Sequence, residues 1–188
     1  MFAFTSLVAL VSTTITLVHS SPTVYPDVIP GPGLPSLEFL NLTSKDLYTM
    51  TPPTFDLSLN SRSANFDAEW YDDNSTPFQT TNRTSCSFTF TTGDVDNTIA
   101  CFNYLVSIGN NACVVSADNV EFCRAGDASI GGSNLHQTSG AASSACRDVA
   151  TAVQWIFTNC NVGGRVGGAD AAYGNGDLVV GVYNVDWI

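Results

Sequence analysis

Ser144-Ala-Cys-Arg-Asp-Val-Ala-Thr-Ala-Val-Gln-Trp-Ile-Phe-Thr-Asn-Cys160 is the stretch from which the fold is read. Its apolar residues Cys146, Val149, Ala150, Val153, Ile156, Phe157 and Cys160 recur at the spacing that lines one side of a 3.6-residue helix. Arg147, Asp148, Thr151, Gln154 and Thr158 take the opposite side, so the helix is expected to lie on a core and turn its polar side to water. Cys146 and Cys160 stand about 21 Å apart along such a helix, too far to bond to each other. Each must reach a different neighbouring element, which makes the helix a bar fastened at both ends.

All six cysteines, Cys86, Cys101, Cys113, Cys123, Cys146 and Cys160, follow residue 85, and none forms a Cys-x-x-Cys pair. An even number in a secreted chain reads as a disulfide framework. Secretion is itself indicated by Met1 to Ser20, an apolar run with no acidic residue, with Val18 and Ser20 suited to a signal-peptidase site. The run is short and polar for a spanning helix. Residues 1–20 are thus expected to be a signal peptide and the mature protein to be extracellular. Sequons at Asn41, Asn74 and Asn82 mark three candidate glycosylation sites in the same compartment.

The remaining chain divides at about residue 83. Residues 21–82 hold every proline of the chain and show almost no helix or strand period, so the segment is expected to be largely extended or disordered, or a pro-segment, with short apolar runs such as Leu37-Glu38-Phe39-Leu40 and Trp70-Tyr71 able to dock on the folded part. Residues 83–188 form the expected folded domain. Cys86 to Thr91 alternates like a half-buried strand. Asp94 or Asp96 can cap a helix from Asn97 to Ile108, with Cys101, Tyr104, Leu105 and Ile108 on one face and Gly109 as its stop. Ala112–Ser116 and Val120–Arg124 read as a hairpin about Ala117-Asp118-Asn119, with Ala128–Ile130 continuing the second strand. A Gly/Ser-rich loop over 131–143 leads into the opening helix. After the glycines of 163–168, Asp177 to Tyr183 is a run of β-formers.

The order βαββαβ predicts an α+β, ferredoxin-like two-layer sandwich, with four antiparallel strands in the order 4-1-3-2 and both helices on one face. In that plan Cys86 meets Cys146, Cys101 meets Cys160, and Cys113 faces Cys123 across the hairpin. Six cysteines allow fifteen pairings, of which this is the geometric choice.

Charge and chemistry narrow the function classes. The net charge of −11 with a single lysine offers no footprint for nucleic acid or anionic lipid, and stable membrane insertion is not expected. A metal or other cofactor is not expected either, because His136 is the only nitrogen ligand after signal removal. A catalytic reading begins with His136 beside Asp127, Asp148 or a serine, but no Gly-x-Ser-x-Gly elbow is present and a solvated loop histidine explains it more simply. Asp170 and Asp177 flank a Gly-rich loop and offer a carboxylate pair, with strand-end solvation as the plainer role. The loop Gly163-Gly164-Arg165-Val166-Gly167-Gly168 follows a helix instead of preceding one, so it is no phosphate cradle. Trp155 and Trp187 are read as cover for the sheet.

Cys101-Phe-Asn-Tyr-Leu, Cys113-Val-Val, Phe122-Cys123, Cys146-Arg-Asp-Val-Ala and Val162-Gly-Gly-Arg-Val-Gly-Gly with Tyr183 and Trp187 resemble small secreted fungal proteins of the necrosis-inducing effector class. These are similar in turn to viral killer toxins with a βαββαβ sandwich. The resemblance implies a secreted, non-enzymatic virulence protein that binds a protein or cell-surface target of a host or competitor. A secreted hydrolase or a cell-wall structural protein are the alternatives.

Overall fold

The longest run of β-formers is the centre of the observed sheet. In the computed structural model, which describes residues 24–55, 84–86, 92–116, 119–135 and 140–187, this run is strand β11 (Asn175–Asn184). It pairs antiparallel with β6 (Ala128–Asn134) on one side and β10 (Gly168–Ala172) on the other. β5 (Val120–Ala125) and β1 (Val28–Pro30) extend the sheet beyond β6, and β2 (Thr84–Cys86) ends it beyond β10. The order is β1-β5-β6-β11-β10-β2, antiparallel throughout.

Strand alternation puts Cys123, Ile130, Val182, Val180 and Leu178 on one face, all buried. Helices α2 (Val95–Ile108) and α3 (Cys146–Asn159) cover that face, α2 over β5 and β6, α3 over β10 and β11. Asp94 caps α2 by accepting from the N–H groups of Asp96 and Asn97, and Gly109 ends it at φ 54°. A short helix, α1 (Ser44–Thr49), rests on α2 behind a capping box of Thr43 and Asp46. Small ladders complete the chain: β3 (Gly93–Asp94) with β9 (Arg165–Val166) and β8 (Asn161–Val162), and β4 (Ala112–Val115) with β7 (Ala142–Ala145).

The α+β class, the antiparallel sheet and both long helices match expectation, but the ferredoxin-like order does not appear. Its last strand belongs at an edge, whereas β11 is interior. Two local features redirect the pairing. Gly126 at φ 50° lets β5 turn back at once, so residues 128–130 open β6 and do not prolong β5. The supposed loop after them is strand as well: a Cβ on Gly132 would stand 2.6 Å from the Phe122 ring, so only glycine admits that ring to the core. The expected hairpin of 112–116 with 120–124 is also replaced, because β4 takes β7 as its partner and leaves β5 to β1 and β6.

All six cysteines are bonded, with pairings that differ from the geometric choice. Cys101 joins Cys123, tying α2 to β5; Cys113 joins Cys146, tying β4 to the start of α3; Cys86 joins Cys160, tying β2 to its end. The bar is fastened at both ends, but the strand of Cys86 holds its end instead of its start and β4 takes the start in place of a tie to α2, because the strand order that set top and bottom is different. Each closed loop, of 22, 33 and 74 residues, is worth about 3 to 4.5 kcal/mol by restriction of the unfolded chain.

Residues 24–55 depart most from expectation. They are folded against the domain: β1 adds to β5, and Leu47 is fully buried. The isolated leucines 34, 37, 40 and 42, without a helical period, pack on the core from an irregular path that the prolines permit. A further correction concerns α3. Thr151 and Gln154, assigned to its wet side, are 7% and 5% exposed, and Gln154 is covered by Phe55 of this segment. Met1 to Ser20, the strand residues after Cys86, the Ala117-Asp118 turn, His136, Asn74 and Asn82 lie outside the described residues.

Peptide mapping of the unreduced protein is expected to return Cys86–Cys160, Cys101–Cys123 and Cys113–Cys146, and a Cys113–Cys123 peptide would contradict the pairing. Gly132→Ala should destabilise by about 1 to 3 kcal/mol in denaturant melts, since the Phe122 ring must shift. An unchanged midpoint would show that the core accommodates the methyl.

Candidate functional site

A group of charged side chains lies where the β5–β6 turn meets the start of α2. Asp127, the second residue of that turn, accepts at Oδ1 from the Asp94 N–H at 3.0 Å and from Asn97 Nδ2 at 2.9 Å. Its Oδ2 accepts from Arg165 Nη1 at 2.6 Å, and its carbonyl accepts from the Val185 N–H at 2.9 Å. Arg165 also donates through Nη2 to the Thr92 carbonyl, which Asn184 Nδ2 reaches at 3.3 Å. The Tyr48 hydroxyl, from α1, donates to Asn97 Oδ1 at 2.6 Å. Five separate segments are therefore joined through one carboxylate and its neighbours.

Burial pushes the Asp127 carboxyl up, but hydrogen bonds from Asp94, Arg165 and Asn97, with the Arg165 charge, outweigh it and hold the group below its ordinary 3.8. Tyr48 is pushed up to about 12 by burial and by the carboxylates Asp94, Asp96 and Asp127, so it stays a donor. A carboxylate with both oxygens engaged, and with its one cation also held by a carbonyl, is arranged as a clasp. Sequence reading named Asp127 only as a partner for His136. The Gly126-Asp127 dipeptide between β-formers was the available signal for its place in a turn.

A second network occupies the sheet face away from the helices. Glu121 Oε2 accepts from Arg124 Nε and Nη2, both at 3.0 Å, and from the Ser129 hydroxyl at 2.6 Å. Tyr183 lies beside it, its phenol raised chiefly by burial.

The other sequence candidates are scattered. Asp170 is fully buried on the helix-facing side of β10, its Oδ1 accepting from the Ala171 N–H at 2.9 Å. Asp177 falls on the opposite side by strand alternation, partly exposed. Asp148 sits on α3, raised by burial against the lowering effect of Arg147. Asp170 and Asp177 are therefore on opposite faces of the sheet, and among the described residues no group of three His, Cys, Asp or Glu is placed to hold a metal ion. Gly163 and Gly164, at φ 61° and 83°, form the β8–β9 turn. Trp155 is partly buried against the core, as expected of cover. Asn41 is exposed at φ 52°, two residues before the cap of α1.

Surface features are shallow. A cleft of about 500 Å³ is lined by Leu34, Pro35, Ser36, Phe39, Asn111 and Ala112, and Phe39 stands 77% exposed at its rim. Among the described residues no helix is long and apolar enough to cross a membrane. The three disulfides are consistent with an extracellular protein.

The clasp sets an acid limit. The folded pKa of Asp127 is below its unfolded value, so its stabilisation is complete above the unfolded value near 3.8 and is lost as pH falls through the folded one. Asp127→Asn should lower stability at pH 7 and flatten the loss below pH 4 in acid titrations followed by circular dichroism. An acid limb identical to that of the parent protein would remove Asp127 from the account.

The chain matches no curated protein and no solved structure. One family model does match, described as a domain of unknown function (DUF8794), over residues 81–184. That span runs from just before β2 to the end of β11 and takes in Asp94, Asn97, Asp127 and Arg165 of the clasp and all three disulfides, but not Val185, Tyr48 or the rest of residues 24–55. It covers more than half of the sequence, and the protein is therefore a member of the DUF8794 family.

Proposed function

We propose that this protein is secreted and works by binding, as a fungal effector or killer-toxin-like protein directed at a protein or surface of a host or competitor. The observation that carries the reading is the placing of the bridges. Each joins a helix to a strand that is not its neighbour in sequence, so the domain is braced for life outside the cell, among proteases and without chaperones. The motifs around Cys101, Cys113, Cys123 and Cys146 that resemble the necrosis-inducing class sit on these braced elements.

Binding surfaces are available without reorganisation. Phe39, Ile29 and Val114 are exposed, the first over the shallow cleft, and the acidic charge of −11 favours a target with basic or neutral character. A hydrolase that uses Asp170 with Asp177 draws no support from their opposite placement across the sheet.

Purified, oxidised protein infiltrated into leaves or applied to competing fungi should provoke necrosis or growth arrest, and reduction with alkylation should abolish it. His136→Ala and Asp177→Asn should keep the response. Silence across several hosts and competitors would overturn the effector reading, and loss of response in either variant would return the hydrolase.

A further inference from the structure

Residues 24–55 lie outside the family match, yet they occupy the outer sides of α2 and α3 and the edge of β5. Beside the apolar packing, they are held through their own main chain. β1 adds to β5 with Val28 opposite Ala125 and Pro30 opposite Cys123, and the Gly31 N–H donates to the Phe122 carbonyl at 2.9 Å. Three helix side chains then meet the backbone of the segment. The Tyr104 hydroxyl donates to the Pro35 carbonyl at 2.7 Å, and Asn103 Nδ2 donates to the Leu47 carbonyl at 2.8 Å. Gln154 accepts from the Phe55 N–H at 2.8 Å and donates to the Phe55 carbonyl at 3.3 Å.

All three are buried with the segment in place: Tyr104 and Asn103 are 0% exposed and Gln154 5%. Polar side chains so placed on a helix surface recognise peptide main chain, as strand addition at a sheet edge does, and leave specificity to pockets. Two apolar anchors fill such places. Leu47 is fully buried on α2, and Phe55 meets Phe102 edge-on with ring centroids 6.0 Å apart. The Tyr48 bond to Asn97 is the exception that reads a side chain.

Two further observations mark the segment as a ligand. Asn103 Oδ1, fully buried, has no hydrogen-bond partner among the described residues, so the occupant leaves one groove acceptor unused. Every cysteine pairs within 86–160, so the segment is linked to the domain covalently only through residues 56–83.

We infer that the outer faces of α2 and α3, with the edge of β5, form a peptide-binding groove of the family domain, and that residues 24–55 are its intramolecular, reversibly bound ligand. The inference stands whether or not a host target is found.

Hydrogen exchange on the intact, oxidised chain tests it first. The amides of Gly31, Leu47 and Met50 should exchange at least about tenfold faster than those of β6 and β11, because release of the segment leaves the sheet standing. Equal protection would make the segment part of one cooperative core and overturn the proposal. A protease recognition sequence inserted between residues 56 and 83 supplies the second test. After cutting, a fluorescent synthetic peptide of residues 24–55 should displace the original, and Gln154→Ala should weaken its binding by about tenfold or more. Failure to exchange below the denaturant concentration that unfolds the domain would overturn the proposal, and if the cut protein precipitates, the exchange ranking alone decides.

Discussion

The architecture depends on how α3 begins. Its N-cap, Ala145, has no side chain that can accept a hydrogen bond, so the first turn must find acceptors elsewhere. It finds them on the turn that ends α2: the Cys146 N–H donates to the Asn111 carbonyl and the Arg147 N–H to the Gly109 carbonyl, both at 2.9 Å. The positive end of one helix is thereby seated on the negative end of the other, which favours their antiparallel packing. The Cys113–Cys146 bridge locks the same joint, since Cys113 lies two residues beyond Asn111. With the far end held by Cys86–Cys160, α3 has no freedom to slide along its axis, and the sheet beneath it takes its order around that fixed bar.

The clasp around Asp127 does at the other pole of α2 what the α3 joint does at its C-terminus. The donors at the start of α2 are met by Asp94, whose own N–H is met by Asp127. Arg165 then draws in β9, and Val185 the end of β11. Arg165 and Asp127 are both more than one-third exposed, so their charge attraction is screened and worth little alone. What the group contributes is satisfaction of backbone donors and acceptors where several chain segments end together, groups that would be costly if buried without partners. The two poles explain why α2, with no basic residue in its last turn, needs no side-chain cation there.

Legibility in the sequence followed the range of the forces involved. Helices α2 and α3, the Asp94 cap, the Gly109 stop and the β11 run were readable because each is decided within a few residues by period, cap or propensity. Pairing was not. Gly131-Gly132 looked like loop because the reason for a side-chain-free strand, the Phe122 ring across the ladder and the Tyr183 ring beside it, is invisible in one dimension. The bridges failed with it, since a cysteine pairing inferred from a sheet order inherits any error in that order. Of the candidate site, Asp127 was singled out, but beside His136, which lies outside the described residues. The neighbours of Asp127 in the structure, Asp94, Asn97 and Arg165, are up to 38 residues away and share no local pattern with it.

Thr151 and Gln154 carry the remaining lesson. On a helix wheel they belong to water, and the reading of residues 21–82 as a segment too poor in apolar periodicity to fold, with only short runs able to dock, assigned them no cover. The error lies in treating burial as something a segment must achieve alone. Leu47 and Phe55 are too few to build a core, but a finished domain offers one ready-made, and a single leucine fully buried there contributes about 1.5 to 3 kcal/mol. The entropy of ordering the intervening residues opposes this gain at every step. A segment so balanced stays bound only where its main chain is also satisfied. That is the role of Gln154, Asn103 and Tyr104, and it is why Gln154 stands on the side of its helix that a wheel would give to solvent.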